Sequence, residues 1–222
     1  MFHTKICGVR TLSDIKSVAD CRADAIGLNF FSNSVRFVDP DSDDVCRLSE
    51  AAEQAGLLRV GVFVNAGIET ILQIATRVGL DAIQLHGDEP IGATGQLRSR
   101  TELPLIRAIK LPTGPLEVAA IASLAVPWSD AGCHLLLDAD AGSAHGGSGK
   151  MLDWDSIRRW SQRYPDTSWT LAGGLDPQNI AKAITASGAK SVDVASGVEQ
   201  PRGEKSHDLI EGFMQARQKS AI

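Results

Sequence analysis

Trp169-Thr-Leu-Ala172 runs into Gly173-Gly174-Leu175, and Ser191-Val-Asp-Val194 runs into Ala195-Ser-Gly-Val198. Both are short β-forming runs that break into small residues, the composition of a strand leaving through a tight turn. Six earlier runs have the same character: Thr4–Cys7, Ala25–Phe30, Arg59–Val64, Ala82–Leu85, Leu105–Ile109 and His134–Asp138. A longer stretch with helical periodicity follows each run, which is the signature of βαβ units around a parallel sheet. Helix starts are marked by Thr11 before Leu12, by Asp153 before Trp154, and by Asp176 with Pro177 at the first helical position.

Eight repeats in 222 residues leave about 28 each, compact but sufficient for a (β/α)8 TIM barrel, α/β in class. That leaves no room for a second domain, so residues 1–222 are expected to form a single barrel domain. A doubly wound open sheet is the alternative, but its G-x-G-x-x-G fingerprint is missing after the first run.

Composition narrows the function. Hydrophobic residues make up 43% and charged residues 22%, so the chain is folded and globular rather than disordered. Lys plus Arg number 22 against 27 for Asp plus Glu, a net charge of −5 without like-charge runs. Neither nucleic acid nor an anionic membrane is an expected partner. The N-terminus lacks the order of a signal peptide, and no stretch is long and apolar enough to span a bilayer. Cys7, Cys21, Cys46 and Cys133 form no C-x-x-C pair, which fits reduced thiols in the cytoplasm rather than a zinc or redox site.

Barrels of this type work at the C-terminal ends of their strands. That rule selects Lys5, Cys7, Asn29, Arg36, Gln84, His86, Asp138, Gly173, Gly174, Ser196 and Gly197. The two glycine turns after strands 7 and 8 stand where such barrels commonly hold phosphate, because glycine lets backbone N–H groups approach a ligand. Either turn alone could equally be a tight βα turn, but two at the favoured pair of loops point to phosphate. A third cluster, His145-Gly-Gly-Ser-Gly-Lys150, fails as a Walker A loop because Ala144 and Met151 stand at its key positions. It reads either as a lid over substrate or as a plain connection.

Lys5 and Cys7 are two apart on a strand and share a face, so the ammonium is placed to lower the thiol's pKa toward that of a useful general base. A buried, inert cysteine is the plainer reading. Asp138 ends the run His134-Leu-Leu-Leu-Asp138, where partial burial would favour the protonated acid. Capping a loop or pairing with a lysine is its plainer role. A thiolate and an acid on different strands suit acid–base isomerisation better than a nucleophile with its own base.

Lys5-Ile-Cys-Gly8, Ser34-Val-Arg36, Gln84-Leu-His-Gly87 with Glu89, Leu136-Leu-Asp138, Gly146-Gly-Ser-Gly149 before Asp153-Trp154, Leu171-Ala-Gly-Gly-Leu175 with Pro177 and Asn179, and Asp193-Val-Ala-Ser-Gly-Val-Glu199 occur in this order. As a set they resemble the phosphoribosylanthranilate isomerase family of tryptophan biosynthesis across nearly the whole chain. The resemblance implies an Amadori rearrangement of N-(5-phosphoribosyl)anthranilate to the 1-deoxyribulose phosphate, without metal or organic cofactor. It implies Asp138 as general acid and Cys7 as general base. It places Arg36 at the anthranilate, and the two glycine turns, Gly173-Gly174 and Ser196-Gly197, at the phosphate. Lys5, Gln84 and His86 are expected to complete substrate binding. The expected partner is one small phosphorylated substrate, and the expected state a monomer.

Four positions depart from the family pattern: Val35 for proline, Ser148 for threonine, Ala195 for serine or asparagine, and Ser206 for aspartate. Two other functions compete. A metal-dependent sugar-phosphate epimerase or hydrolase would draw ligands from His86, His134, Asp138, Asp140 and His145. A catalytically silent barrel would bind a phosphorylated metabolite as a sensor or scaffold, against which the intact Cys7 and Asp138 argue.

Overall fold

The computed structural model describes residues 1–139 and 151–219. Eight parallel strands close into a barrel in chain order: β1 (Thr4–Cys7), β2 (Ala25–Asn29), β3 (Leu58–Phe63), β4 (Ala82–Leu85), β5 (Leu105–Leu111), β6 (His134–Ala139), β7 (Trp169–Leu171) and β8 (Val192–Val194). Between and after them lie α1 (Leu12–Asp20), α2 (Asp43–Gln54), α3 (Ile68–Val78), α4 (Gly92–Arg98), α5 (Val118–Asp130), α6 (Trp154–Arg163), α7 (Ile180–Ser187) and α8 (His207–Lys219). The expected (β/α)8 architecture is therefore present. Closure is made at β1, where Lys5 stands opposite Ala25 of β2 on one side and Asp193 of β8 on the other.

The period-two alternation of strands divides the apolar residues between two cores. A large one, including Ile6, Leu28, Phe63, Leu137 and Trp160, packs the outer face of the sheet against the helices. A smaller one, built from Ala25, Val60, Ala82, Ile106, Ala108, Leu136 and Ala172, fills the barrel interior, with Phe2 among its members. Each β5–β6 register pair shares a direction, so Ile106 and His134, Ala108 and Leu136, and Lys110 and Asp138 rise as successive layers toward the mouth.

Strand ends move by one or two residues from the sequence expectation, because ladder pairing and not composition sets them. Thr11 caps α1 through a capping box with Asp14, and Asp153 caps α6 by accepting from the Ser156 N–H, each as expected. Asp176 behaves differently. Its Oδ1 accepts from the Gln178 and Asn179 N–H groups at 2.8 Å, yet the helix begins only at Ile180. The first turn is diverted because Asn179 Nδ2 donates to the Gly174 carbonyl at 2.8 Å, tying that segment to the turn after β7.

Candidate active site

At the C-terminal ends of the strands the barrel opens into a cavity of about 230 Å³. Cys7, Arg36, His86, Asp138, Gly173, Gly174 and Ser196 are all on its wall, so the fold gathers residues from six different strands or loops at one place. Lys5 and Gln84 do not reach it. Both are fully buried one step deeper, and their expected contact with substrate is replaced by support of the residues above them. Gly197 is also off the wall, packed so closely on the Leu175 carbonyl that a Cβ would stand 1.9 Å from the oxygen. The run 146–149, Asp140 and His145 lie outside the described residues.

Cys7 is held in a charged but dry setting. Fully buried Lys5 Nζ lies 2.8 Å from Oδ1 of Asp193, which is itself on the cavity wall. Burial pulls the Lys5 ammonium toward neutrality, but Asp193 and Cys7 together hold its pKa above the usual lysine value. For Cys7 the balance runs the other way. Burial raises the thiol pKa more than Lys5, Lys205 and Arg36 lower it, with Asp193 also raising it. The lowering expected from Lys5 is thus real but outweighed, because a thiolate loses more solvation in the barrel than one ammonium returns.

Asp138 sits across the mouth on β6. Its Oδ1 accepts from the adjacent Ala139 N–H at 2.8 Å, and its Oδ2 stands 3.4 Å from His86 Nε2. Gln84 Nε2 donates to His86 Nδ1 at 2.8 Å, which leaves the ring proton on Nε2, facing the carboxylate. Gly173 makes room for this arrangement. It adopts φ +83°, and a Cβ there would stand 2.7 Å from the Ala139 nitrogen and 3.0 Å from Asp138 Oδ1.

Arg36 is anchored from behind. Its Nε and Nη2 donate to Glu199 Oε1 and Oε2 at 2.6 and 2.8 Å, and Lys205 Nζ donates to the same Oε1 at 2.7 Å. Burial opposes all three charges. Glu199 nevertheless keeps a lowered pKa and Arg36 a raised one, because each has a charged hydrogen-bond partner, whereas burial outweighs Glu199 at Lys205 and lowers its pKa. Gly8, at φ +82°, lets the Arg36 side chain pass, since a Cβ would lie 2.2 Å from its Cδ. The glutamate and lysine are residues that sequence reasoning did not assign. Their only sequence signal is that Glu199 ends the S-G-V-E motif six residues before Lys205.

Three of the four departures from the family pattern, all but Ser148, find local answers. Without a proline at 35, the loop is tied by Arg10 Nη1 donating to the Val35 carbonyl at 3.0 Å and by the Arg36 N–H donating to Ser34 Oγ at 3.1 Å. Ala195 serves through its carbonyl, which accepts from Lys205 Nζ at 3.0 Å. Ser206 takes over as cap of α8, its Oγ accepting from the Leu209 N–H.

The metal-site alternative loses its geometry. His134 lies at the opposite end of the barrel from His86 and Asp138, hydrogen-bonded through Nδ1 to Ser168 Oγ and through Nε2 to Thr170 Oγ1, each at 2.7 Å. Among the described residues no group of three or more His, Cys, Asp or Glu converges on one point. All four cysteines are free, and among the described residues no helix is long and apolar enough to cross a membrane.

Comparison with known proteins gives one answer. The family model for N-(5'phosphoribosyl)anthranilate (PRA) isomerase matches residues 4–216. The chain is 36% identical over 221 residues to the N-(5'-phosphoribosyl)anthranilate isomerase of Ruegeria sp. (strain TM1040), covering 97% of each chain. It is also 36% identical over 214 residues to that of Thermotoga maritima, covering 96% of this chain and 97% of the other. The crystal structure of the Thermotoga maritima isomerase superposes with a TM-score of 0.84 at 34% identity, covering 99% of this chain and all of that one, 100%. A PRA isomerase solved in complex with reduced 1-(o-carboxyphenylamino)-1-deoxyribulose 5-phosphate superposes with a TM-score of 0.79 at 32% identity, covering 99% of this chain and 100% of that one. On the match to its family model and these full-length similarities, the chain belongs to the N-(5'-phosphoribosyl)anthranilate isomerase family.

Proposed function

We infer that Cys7 and Asp138 divide the proton transfers of the reaction this family performs. The chain isomerises N-(5'-phosphoribosyl)anthranilate to 1-(2-carboxyphenylamino)-1-deoxyribulose 5-phosphate, an aldose-to-ketose Amadori rearrangement in tryptophan biosynthesis. The observation that carries the assignment of roles is that both groups, from β1 and β6, share the wall of one cavity.

Asp138 gives its proton to the furanose ring oxygen as the C1–O bond breaks, leaving the anthranilate nitrogen and C1 as a protonated Schiff base. Cys7 as thiolate removes the proton from C2, and the electron pair moves into a C1–C2 double bond, giving an enolamine. Tautomerisation at C1 and O2 then yields the ketone. The sequence is balanced internally, since C1 is reduced as C2 is oxidised. The His86 Nε2–H lies against Asp138 and stabilises the carboxylate left after proton transfer. The N–H groups of the turns Gly173-Gly174 and Ser196-Gly197 supply donors for the phosphate. The Arg36 guanidinium, held by Glu199, meets the anthranilate carboxylate. The enzyme works in the cytoplasm on this diffusible substrate, a reading supported by its free thiols.

The test is turnover of purified Cys7→Ser and Asp138→Asn. Each is expected to fall by about two to four orders of magnitude, as loss of a positioned acid or base does, with binding of the reduced product analogue retained. Near-normal turnover in either variant removes the corresponding role. Because the reaction needs the Cys7 thiolate and the Asp138 acid together, each gain in thiolate at higher pH is offset by loss of the acid, so kcat/KM should show no sustained alkaline rise despite the raised thiol pKa; a sustained rise would remove Asp138 as an obligatory acid.

A further inference from the structure

We propose that Arg202 is a specificity-determining residue that meets the aromatic carboxylate of the substrate together with Arg36; this rests on the activity inferred above. Arg202 belongs to none of the sequence motifs. The fold nevertheless puts it on the wall of the active-site cavity, exposed, and without a hydrogen-bond or ion-pair partner among the described residues.

Its position identifies the end of the cavity it serves. Arg10 Nη1 donates to the Val35 carbonyl at 3.0 Å and to the Gly203 carbonyl at 3.3 Å, clamping the segment after β8 to the loop after β2. The Gly203 N–H donates to Glu199 Oε2 at 2.9 Å, so the same segment is pinned beside the carboxylate that holds Arg36. Arg202 therefore emerges next to Val35 and Arg36, while the glycine turn after β7 belongs to the other flank of β8. A ligand with its phosphate between the turns after β7 and β8 would direct its aromatic acid toward the loop after β2.

Charge makes a second cation useful there. Arg36 already gives its Nε and Nη2 to Glu199, which also takes the proton donor of Lys205, so part of its field is spent on a buried carboxylate. Among the described residues Arg202 has no such obligation, and its guanidinium presents a fork of the kind that suits a carboxylate. Being at the rim, it acts through a solvent-screened charge, which gives its contribution a measurable salt dependence.

The experiment compares the native enzyme with Arg202→Gln, using two reduced product analogues: one with the ortho-carboxylate and one with a plain phenyl ring. At low salt the carboxylated analogue should bind the variant about tenfold more weakly, the usual worth of a charged hydrogen bond, and KM should rise with kcat little changed. The phenyl analogue and inorganic phosphate should bind both proteins within twofold. The tenfold gap should narrow in about 0.5 M salt, where screening acts within a few ångströms. Equal weakening of both analogues, or a loss confined to phosphate, would overturn the proposal by moving Arg202 to the other end of the ligand. No change with either analogue would overturn it as well. Failure of the underlying activity would look different: the native enzyme itself would then neither turn over the substrate nor distinguish the two analogues.

Discussion

Among the described residues two histidines face into this barrel, one at each end, and they are handled by opposite chemistries. His86, at the mouth, stands between the Gln84 amide and the Asp138 carboxylate. His134, at the base, has hydroxyls as its hydrogen-bond partners among the described residues: Ser168 on one nitrogen and Thr170 on the other, with Thr170 passing on to Ser191 at 2.7 Å. Among the described residues no carboxylate forms an ion pair with it. Burial, aided by the α-amino group of Met1, pushes the His134 pKa down to about 4. The mouth thus sets a carboxylate against its histidine where a reaction needs it, and the base holds its own histidine with neutral hydrogen bonds. Stability should depend on the base, turnover on the mouth, and the places where this division fails are informative.

The largest expected failure is at Glu199, which lies at the mouth yet holds two buried cations in place. Glu199→Gln removes the charge opposite Arg36 and Lys205. Breaking such a buried network by one partner costs about 3 kcal/mol or more. Urea unfolding of the variant should show that loss, together with weaker binding of the carboxylated analogue. A variant as stable as the native protein would mean that the network is solvated in solution.

Acid should expose the base instead. The unfolded chain protonates His134 near 6.5 whereas the folded chain waits until about 4, so between those values the unfolded state binds more protons and stability falls as pH falls. The contribution is complete above about pH 6.5 and is lost progressively toward pH 4, by about 3 kcal/mol at most. Urea midpoints measured from pH 7 to pH 4.5 should trace this limb in native protein, and His134→Gln should flatten it. An unchanged limb in that variant would place the acid sensitivity in other groups.

A smaller effect separates support from catalysis at the mouth. Gln84 is fully buried and fixes the His86 ring, so Gln84→Leu frees the tautomer that faces Asp138. Turnover should fall about tenfold with analogue binding retained, the cost of a loosened positioning hydrogen bond. If stability falls but kcat does not, Gln84 belongs with the base in kind.

What was legible in the sequence follows the range of the interaction. The strand runs, the caps at Thr11 and Asp153, and the placing of Cys7 and Asp138 at strand ends depend on periods and turns within a few residues. Lys5 as the neighbour of Cys7 was legible for the same reason. The direction of the thiol's titration was not, because burial depends on all eight strands and outweighs that one neighbour. Glu199 as partner of Arg36 spans 163 residues of chain, and no local pattern encodes it. The same holds for Arg202, whose place at the cavity follows from Arg10 clamping two distant loops. Asp176 shows the converse, a valid local capping signal overridden by a tertiary tie through Asn179.

The smallest effect tests whether the neutral chain at the base is structural alone. Thr170→Val keeps the shape of a fully buried side chain and removes one hydroxyl, leaving His134 Nε2 and Ser191 Oγ each short of a partner. The loss should be about 1 to 2 kcal/mol, the ordinary cost of unpairing buried polar atoms. Because burial and the α-amino group set the His134 pKa, and not Thr170, the acid limb should keep its midpoint and shift down in parallel with the native curve. Kinetic constants at neutral pH should match the native enzyme, since the inward layers Ala108 and Leu136 separate this end from Asp138. A displaced midpoint would show that the hydroxyl chain itself tunes the histidine, and a change in kcat would show that the two ends communicate through the barrel interior.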